Sequence, residues 1–337
     1  MNWNIHGHDW AVTLLQTHAG GEKLRHAYLF VGPEGVGRRT LAVRFAQALN
    51  CIHPPAPGDF CGVCRECRQI GALTHPDLSL LEPGEGHKDI LIDQVRSLQH
   101  TLALAPYAAR YRIALLPAFQ RATTQAVNAL LKTLEEPPEK VVLLLTANAL
   151  ENLLPTIVSR CEVIRLRPAA IDSTREYLQS TREIDPEKAN LLAHLSSGRV
   201  GAAIRYAEDP DALHRRKEYL ATFLDLLSAR RYERFALAQT LSRPYDKARQ
   251  NAEAVLPIWL SFWRDVFVRA SGADLSLVNI DLESQVEMAA AEIGETKARD
   301  LVIVHEKAIQ QLDAYANVRL LLETLMLHWP YLAVSVG

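Results

Sequence analysis

No apolar run in this sequence approaches the ~20 residues that a helix needs to cross a bilayer. The first residues, Met1 to His6, also lack the basic start and apolar stretch of a secretory leader, so a cytoplasmic protein without membrane contact is expected. Net charge is nearly absent. Lys and Arg number 37 against 39 Asp and Glu, a balance of −2 that gives no global positive field for nucleic acid. No internal repeat and no low-complexity tract is present, which excludes solenoids and tail-like disorder. Five cysteines in 337 residues are too few for a disulfide-built scaffold. Four of them nonetheless crowd between Cys51 and Cys67, a pattern that points to metal instead.

A further lack is chemical. Gly32-Pro33-Glu34-Gly35-Val36-Gly37-Arg38-Arg39-Thr40 follows the apolar run Ala27–Val31 and opens an amphipathic stretch from about Leu41 to Leu49. Strand, glycine loop and helix in that order form a phosphate cradle, with backbone N–H groups and a helix N-terminus facing the anion. An active loop also needs Lys for the β/γ-phosphates and Ser or Thr for Mg²⁺. Arg38 and Arg39 hold those positions. Arg38 can contact phosphate, but Arg39 cannot ligate a metal, since a guanidinium has no free lone pair. Thr40 stands one place late. Gly32, Gly35, Gly37, Arg38 and Thr40 therefore make a degenerate phosphate loop. ATP binding without hydrolysis stays open, and no Mg²⁺ site is expected. A second element of hydrolysis is missing in parallel: the apolar strand Arg112–Leu116 ends in Pro117-Ala118, where an acidic pair would hold Mg²⁺ and position water.

The cysteines read Cys51-x9-Cys61-x2-Cys64-x2-Cys67. These spacings let four thiolates converge on one ion, which predicts a closed structural Zn²⁺ site with no open position for catalysis. An iron–sulfur cluster or four unrelated thiols are the alternatives. Cys161 lies apart and is read as a small buried apolar residue. Near it, Ser159-Arg160-Cys161 follows Pro155–Val158, and an arginine at a helix end is ordinarily solvated or salt-bridged.

Strand-like runs at Ala27–Val31, Leu78–Leu81, Arg112–Leu116, Val141–Thr146 and Val163–Leu166 alternate with helical ones at Leu41–Leu49, Ile92–Leu104, Thr124–Leu134 and around Leu150–Val158. That alternation predicts an α/β domain with a parallel sheet. After Pro168 the strand signal vanishes. Short helices are expected at Asp172–Ser180, Pro186–Leu195 and Val200–Tyr206. Long ones follow at about Ala212–Arg230, Arg234–Leu241, Asp246–Ala270, Leu282–Ile293 and Lys297–Leu327. The fold class is thus α/β followed by all-α. Three domains are expected: 1–167 with the cysteine module at 51–67, a small helical domain at 168–208, and a larger helical domain at 209–337.

The four-cysteine insertion, Leu130-Leu131-Lys132-Thr133-Leu134-Glu135-Glu136-Pro137-Pro138 and Ser159-Arg160-Cys161 together resemble the bacterial clamp-loader subunits of DNA polymerase III, in the AAA+ superfamily. His26-Ala27-Tyr28-Leu29-Phe30, His75-Pro76-Asp77 and Ile92-Asp93-Gln94-Val95-Arg96 agree, and the resemblance covers nearly all of residues 1–207. Motor members of that family (gamma/tau) keep Lys-Thr in the loop and Asp-Glu on the strand; this chain departs from both. The resemblance implies an ATPase-deficient subunit whose Arg160 reaches in trans into a neighbouring subunit's ATP site. It also implies that 168–208 is a lid and 209–337 a collar, and it implies partners: gamma/tau and delta subunits in a hetero-pentameric ring joined through the collar, a sliding clamp, and primer–template DNA. A nucleotide-sensing arginine of the lid would fall near Gly201, and Arg199 is two positions early for it. Two other readings remain: a working motor-type ATPase, and a zinc-dependent nucleic-acid-binding module.

Overall fold

The computed structural model describes residues 3–21, 23–84, 88–314 and 316–332. Its strands are β1 Ala27–Val31, β2 Leu78–Leu80, β3 Arg112–Leu116, β4 Val141–Ala147 and β5 Glu162–Arg165. The helices in the same half are α1 Asp9–Ala19, α2 Arg38–Asn50, α3 Arg65–Gly71, α4 Ile92–Leu102, α5 Thr124–Glu135 and α6 Pro155–Val158. After them come α7 Ile171–Arg182, α8 Pro186–Leu195, α9 Val200–Glu208, α10 Ala212–Ser228, α11 Arg231–Leu241, α12 Tyr245–Ala270, α13 Glu283–Asp313 and α14 Val318–Leu327. Among the described residues no helix is long and apolar enough to cross a membrane. The chain divides into two units, Met1–Tyr177 with Gly198–Ala202, and Leu178–Ser197 with Ala203–Gly337.

In the first unit the strands form a parallel sheet ordered β2-β3-β4-β1-β5. The two-residue period of a strand explains how one sheet supports two cores. Tyr28 and Phe30 of β1 face one side and pack with Leu15 of α1 and Leu41 and Phe45 of α2. Ala27, Leu29 and Val31 face the other and pack with Val95 and Leu98 of α4 and Leu130 and Leu134 of α5. A buried charge pair fixes the loop before β3. Asp77 accepts N–H groups from Tyr107, Ala108 and Ala109 at 2.7–2.9 Å, and Arg112 Nη2 lies 3.1 Å away. Those donors hold its carboxyl below the usual range despite burial.

In the second unit the core is aromatic: Phe223 of α10, Trp259, Phe262 and Trp263 of α12, and Trp329 after α14 are all buried together. Arg234 of α11 is buried in the same unit and meets no carboxylate among the described residues. Its guanidinium donates instead to five carbonyls, those of Leu226, Leu227, Met326, Trp329 and Pro330. These include the last turns of α10 and α14, where unpaired carbonyls and the negative end of the helix dipole favour a cation. In the same core the His305 ring lies fully buried and parallel to the Trp329 indole, with an interplanar angle of 2°. Its Nδ1–H donates to the Leu301 carbonyl at 2.7 Å, and its Nε2 accepts the Trp329 indole N–H at 3.2 Å. Both nitrogens are used by the neutral form.

Burial accordingly lowers the His305 pKa to about 4. An unfolded histidine takes a proton near 6.5, so stability is full above that value and is lost as pH falls towards 4. The expected loss from this one group is about 2 kcal/mol between pH 7 and pH 5. Urea unfolding at the two pH values checks it, because His305→Gln should remove that part of the pH dependence. An identical pH dependence in the two proteins would count against the buried neutral ring.

Several boundaries differ from those expected of the sequence, each for a local reason. α1 was not anticipated; its buried stripe, Ala11, Val12, Leu15, His18 and Ala19, is built largely of small residues and a histidine. The expected break between Ile293 and Lys297 is a kink at Gly294 (φ 70°) inside α13, since only the φ/ψ of one glycine departs from helix. The expected helix Lys297–Leu327 is interrupted instead before Asn317, whose side chain accepts the Leu320 N–H and starts α14. Around Leu150–Val158 there is a short 3₁₀ turn at Leu150–Asn152, then α6 with Pro155 in its first turn.

Candidate functional sites

Three sets of residues come into view on the first unit. The loop from Gly32 to Gly37 joins β1 to α2, and Gly37 is the N-cap of that helix. Arg38, Arg39 and Thr40 are its first three residues, so the glycines and Thr40 fall together around one helix start. Arg38 Nη1 is buried with no hydrogen-bond partner among the described residues. Burial lowers the pKa of that guanidinium, and Glu34 opposes the shift. Arg39 turns to Glu82, just past β2, at 2.7 Å. The position that would hold Mg²⁺ thus carries a cation already paired with a carboxylate. At the end of β3, Ala118 has a left-handed backbone (φ 50°) and donates its N–H to Thr146 Oγ1 at 3.0 Å. Neither Pro117 nor Ala118 offers an oxygen ligand from its side chain, so the residues present do not fit a Mg²⁺–nucleotide site.

The start of α9 closes on the same loop. Gly201 N–H donates to the Gly35 carbonyl at 2.9 Å. A Cβ on Gly201 would stand 2.8 Å from that oxygen, and one on Gly35 would stand 2.8 Å from Ala202 Cβ. Gly35 also holds φ 82°, a conformation that other residues rarely adopt. The sensing arginine sought near position 201 therefore has no room for even its first carbon. From the other side His8 Nε2–H donates to the Val36 carbonyl at 3.0 Å. Neither contact was legible in the sequence, since each joins residues far apart in the chain.

Cys51, Cys61, Cys64 and Cys67 meet: their sulfurs all lie within 4.8 Å of one another. Cys51 follows α2, Cys64 is the N-cap of α3, and Cys67 sits one turn into that helix. Backbone N–H groups point at the sulfurs, Cys61 N to Cys51 Sγ at 3.2 Å, Cys64 N to Cys61 Sγ at 3.3 Å and Cys67 N to Cys64 Sγ at 3.4 Å. Such donors favour thiolate, and those of Val63 and Cys64 bring the Cys61 thiol down to about 6, while burial pushes the Cys51 and Cys67 thiols up. Gln47 of α2 donates to the Cys67 carbonyl at 2.6 Å and ties the module to the sheet domain. Four sulfurs so arranged could hold one metal ion as a closed tetrahedral set. Cys161 stands apart, its thiol raised to about 12 by burial.

Arg160 is not brought to the loop. β1 and β5 run parallel, with Tyr28 opposite Glu162 and Val31 opposite Arg165. Arg160 lies just before that ladder and the phosphate loop just after it. The ladder alone spans about 10 Å at the usual rise per residue, so the two stand at opposite ends of the sheet. The guanidinium is two-thirds buried and held locally. Nη2 donates to Glu135 Oε1 at 2.6 Å, and Nη1 to the Thr156 carbonyl at 2.9 Å. Glu135, the last residue of α5, was read in the sequence only as part of an amphipathic helix stopped by two prolines. Nothing in that reading linked it to Arg160, 25 residues away.

Residues 7–170 match the family model described as DNA polymerase III, delta subunit. The chain is 27% identical to DNA polymerase III subunit delta' of Bacillus subtilis over 93% of this chain and 93% of that protein. It is 42% identical to subunit delta' of Pseudomonas aeruginosa over 57% of this chain and 58% of that one. It is 31% identical to subunit tau of Escherichia coli over 60% of this chain and 31% of the relative.

Proposed function

Because this chain belongs to the delta' family of DNA polymerase III subunits, AAA+ components of the clamp loader, we propose that it is a subunit that does not turn over ATP itself and supplies Arg160 to a neighbour that does. The observation that carries this reading is the placement of Arg160 at the end of the β1–β5 ladder opposite its own phosphate loop. An arginine so placed serves a second subunit or none. The pairing of Arg39 with Glu82 and the closure of Gly35 by Gly201 support the other half of the proposal.

In this reading the neighbour is a gamma/tau-type motor, and a delta-type subunit completes the ring that opens a sliding clamp for primer–template DNA in the cytoplasm. The helical collar from 209 onward joins the ring. The four cysteines would hold a structural Zn²⁺, which braces a loop with little apolar surface of its own. Bound Zn²⁺ supplies no open ligand position, so the chain's own residues carry the chemistry. Arg160 brings positive charge to the transferring phosphoryl group, where a fixed cation acts without reorganisation cost.

The test has two arms. The isolated chain with Mg²⁺ and ATP should show no turnover, and a reconstituted assembly without it should fail to load a clamp onto primed DNA. Restoring Lys at Arg38 and Thr at Arg39 should leave the isolated chain inactive, because Pro117 and Ala118 still provide no carboxylate. Appreciable turnover by the isolated chain or by that double variant would overturn the assignment, as would clamp loading that proceeds equally without this chain. The buried, unpartnered Nη1 of Arg38 favours a second reading for the loop alone, a bound nucleotide that is never cleaved. Equilibrium dialysis with labelled ATP distinguishes it, since absence of saturable binding removes it.

A further inference from the structure

We infer that Glu135 is a positioning residue for Arg160, fixing the guanidinium in the orientation it presents to a phosphoryl group on the adjacent subunit. This rests on the reading of Arg160 as a trans-acting arginine. Arginine loses considerable side-chain freedom when it is held in one geometry. Docking a floppy guanidinium against a transition state would cost that freedom at the moment of reaction. Here it is already spent. Nη1 is held by the Thr156 carbonyl and lies 3.4 Å from Ser159 Oγ, and Nη2 by the Glu135 carboxylate.

A guanidinium carries five N–H donors. The bonds among the described residues engage Nη1 and one hydrogen of Nη2. Nε–H and the other Nη2 hydrogen have no partner there and remain for an incoming anion. The carboxylate comes from a different element, the C-terminal residue of α5, whereas Thr156 and Ser159 are close neighbours of Arg160 in sequence. Glu135 thus ties the arginine to the helix that packs on the sheet: Leu130 and Leu134, on the same helix, are core residues. The backbone end of that helix is fixed by packing, so the orientation of the arginine follows the sheet and not the mobility of a loop tip. As a half-exposed ion pair the contact adds little to folding. Its value is to geometry.

The experiment uses the reconstituted loader with gamma/tau-type partners, measuring clamp- and DNA-stimulated ATP turnover across ATP concentrations. Five assemblies are compared: wild type, Glu135→Gln, Glu135→Asp, Arg160→Ala, and Glu135→Gln with Arg160→Ala. Glu135→Gln should lower kcat about tenfold at the ATP site served by this chain, with KM unchanged. Aspartate, which keeps the charge, should restore part of the loss. In the Arg160→Ala background Glu135→Gln should change nothing further, which a merely structural role would not produce. Equal melting temperatures confirm that the variants fold. If Arg160→Ala slows turnover and Glu135→Gln does not, or raises it, the inference fails while the trans-arginine reading stands. If Arg160→Ala itself has no effect, both fall.

Discussion

Replacing Arg160 by alanine is expected to slow ATP turnover at the site it faces about a thousandfold, with no loss of assembly. The magnitude follows from what an arginine supplied in trans does. Phosphoryl transfer asks little covalent chemistry of the protein, so charge placed on the equatorial oxygens accounts for much of the rate. Removal of Arg160 leaves the neighbour's own phosphate loop and metal in place, so ATP binding should be nearly unchanged and the loss should appear in kcat. Folding should be spared too. Arg160 contacts an exposed carboxylate, a carbonyl and a hydroxyl, all of them on exposed residues outside the core. The readout is the clamp- and DNA-stimulated rate of wild-type and Arg160→Ala assemblies, with size-exclusion chromatography showing that both form equally. An unchanged rate would reduce this chain to a structural end-piece of the ring.

The second large effect concerns the cysteines. Intact protein should carry about one zinc per chain, and Cys64→Ser should release it and lower the melting temperature of the first unit by about 10 °C. Apparent binding free energies for structural zinc run to about 10–16 kcal/mol in small modules. A unit with a full sheet core retains most of its own stability, so a loss of a few kcal/mol is the reasonable share, and each is worth about 2–4 °C for a domain of this size. Cys64 is the informative ligand because it also caps α3, accepting the Cys67 N–H. Serine can preserve the cap while weakening the metal bond, which separates the two roles. Metal analysis with thermal unfolding checks the prediction. Protein lacking zinc, or carrying iron with visible absorbance, would contradict it.

Much of the fold was legible because its signals are local. Apolar runs at Ala27–Val31, Arg112–Leu116 and Val141–Thr146 are strands within a residue of their expected limits, since a strand buried on both faces announces itself by composition. The cysteine spacing foretold convergence for a similar reason: four thiols within one short stretch have few other places to go. The phosphate loop was legible as sequence but not as a surface. That Gly201 abuts Gly35, and that Glu82 neutralises Arg39, are facts about distant segments brought together by the sheet. Glu135 was hidden for the same cause. A carboxylate at the end of an amphipathic helix looks like any solvated terminus until a second element places an arginine beside it. In the collar, leucine and alanine periodicity found the helices but not their ends, because Gly294 and Asn317 act through single backbone and side-chain geometries that periodicity does not register.

The losses in the phosphate loop are also mutually reinforcing. Arg39 is paired with Glu82, Pro117 and Ala118 bring no carboxylate after β3, and a Cβ at Gly201 would stand 2.8 Å from the Gly35 carbonyl oxygen. Restoring the loop alone supplies no carboxylate at Pro117-Ala118, which is why the Arg38→Lys, Arg39→Thr variant is expected to stay silent.

Arg234 carries a consequence for how the polypeptide is made. Three of its five acceptors, the carbonyls of Met326, Trp329 and Pro330, lie 92 to 96 residues further along the chain. During synthesis the first helices of the second unit leave the ribosome with a guanidinium that has only two of its protein partners. Burying it then would leave donors unsatisfied in an apolar surround, so closure of that core must wait for residues 326–330. The contact is long in sequence and therefore late in time. An interruption of translation between Trp263 and Met326 would leave Phe223 and Trp259 without the edge-on ring of Trp329, an aromatic surface still open to water.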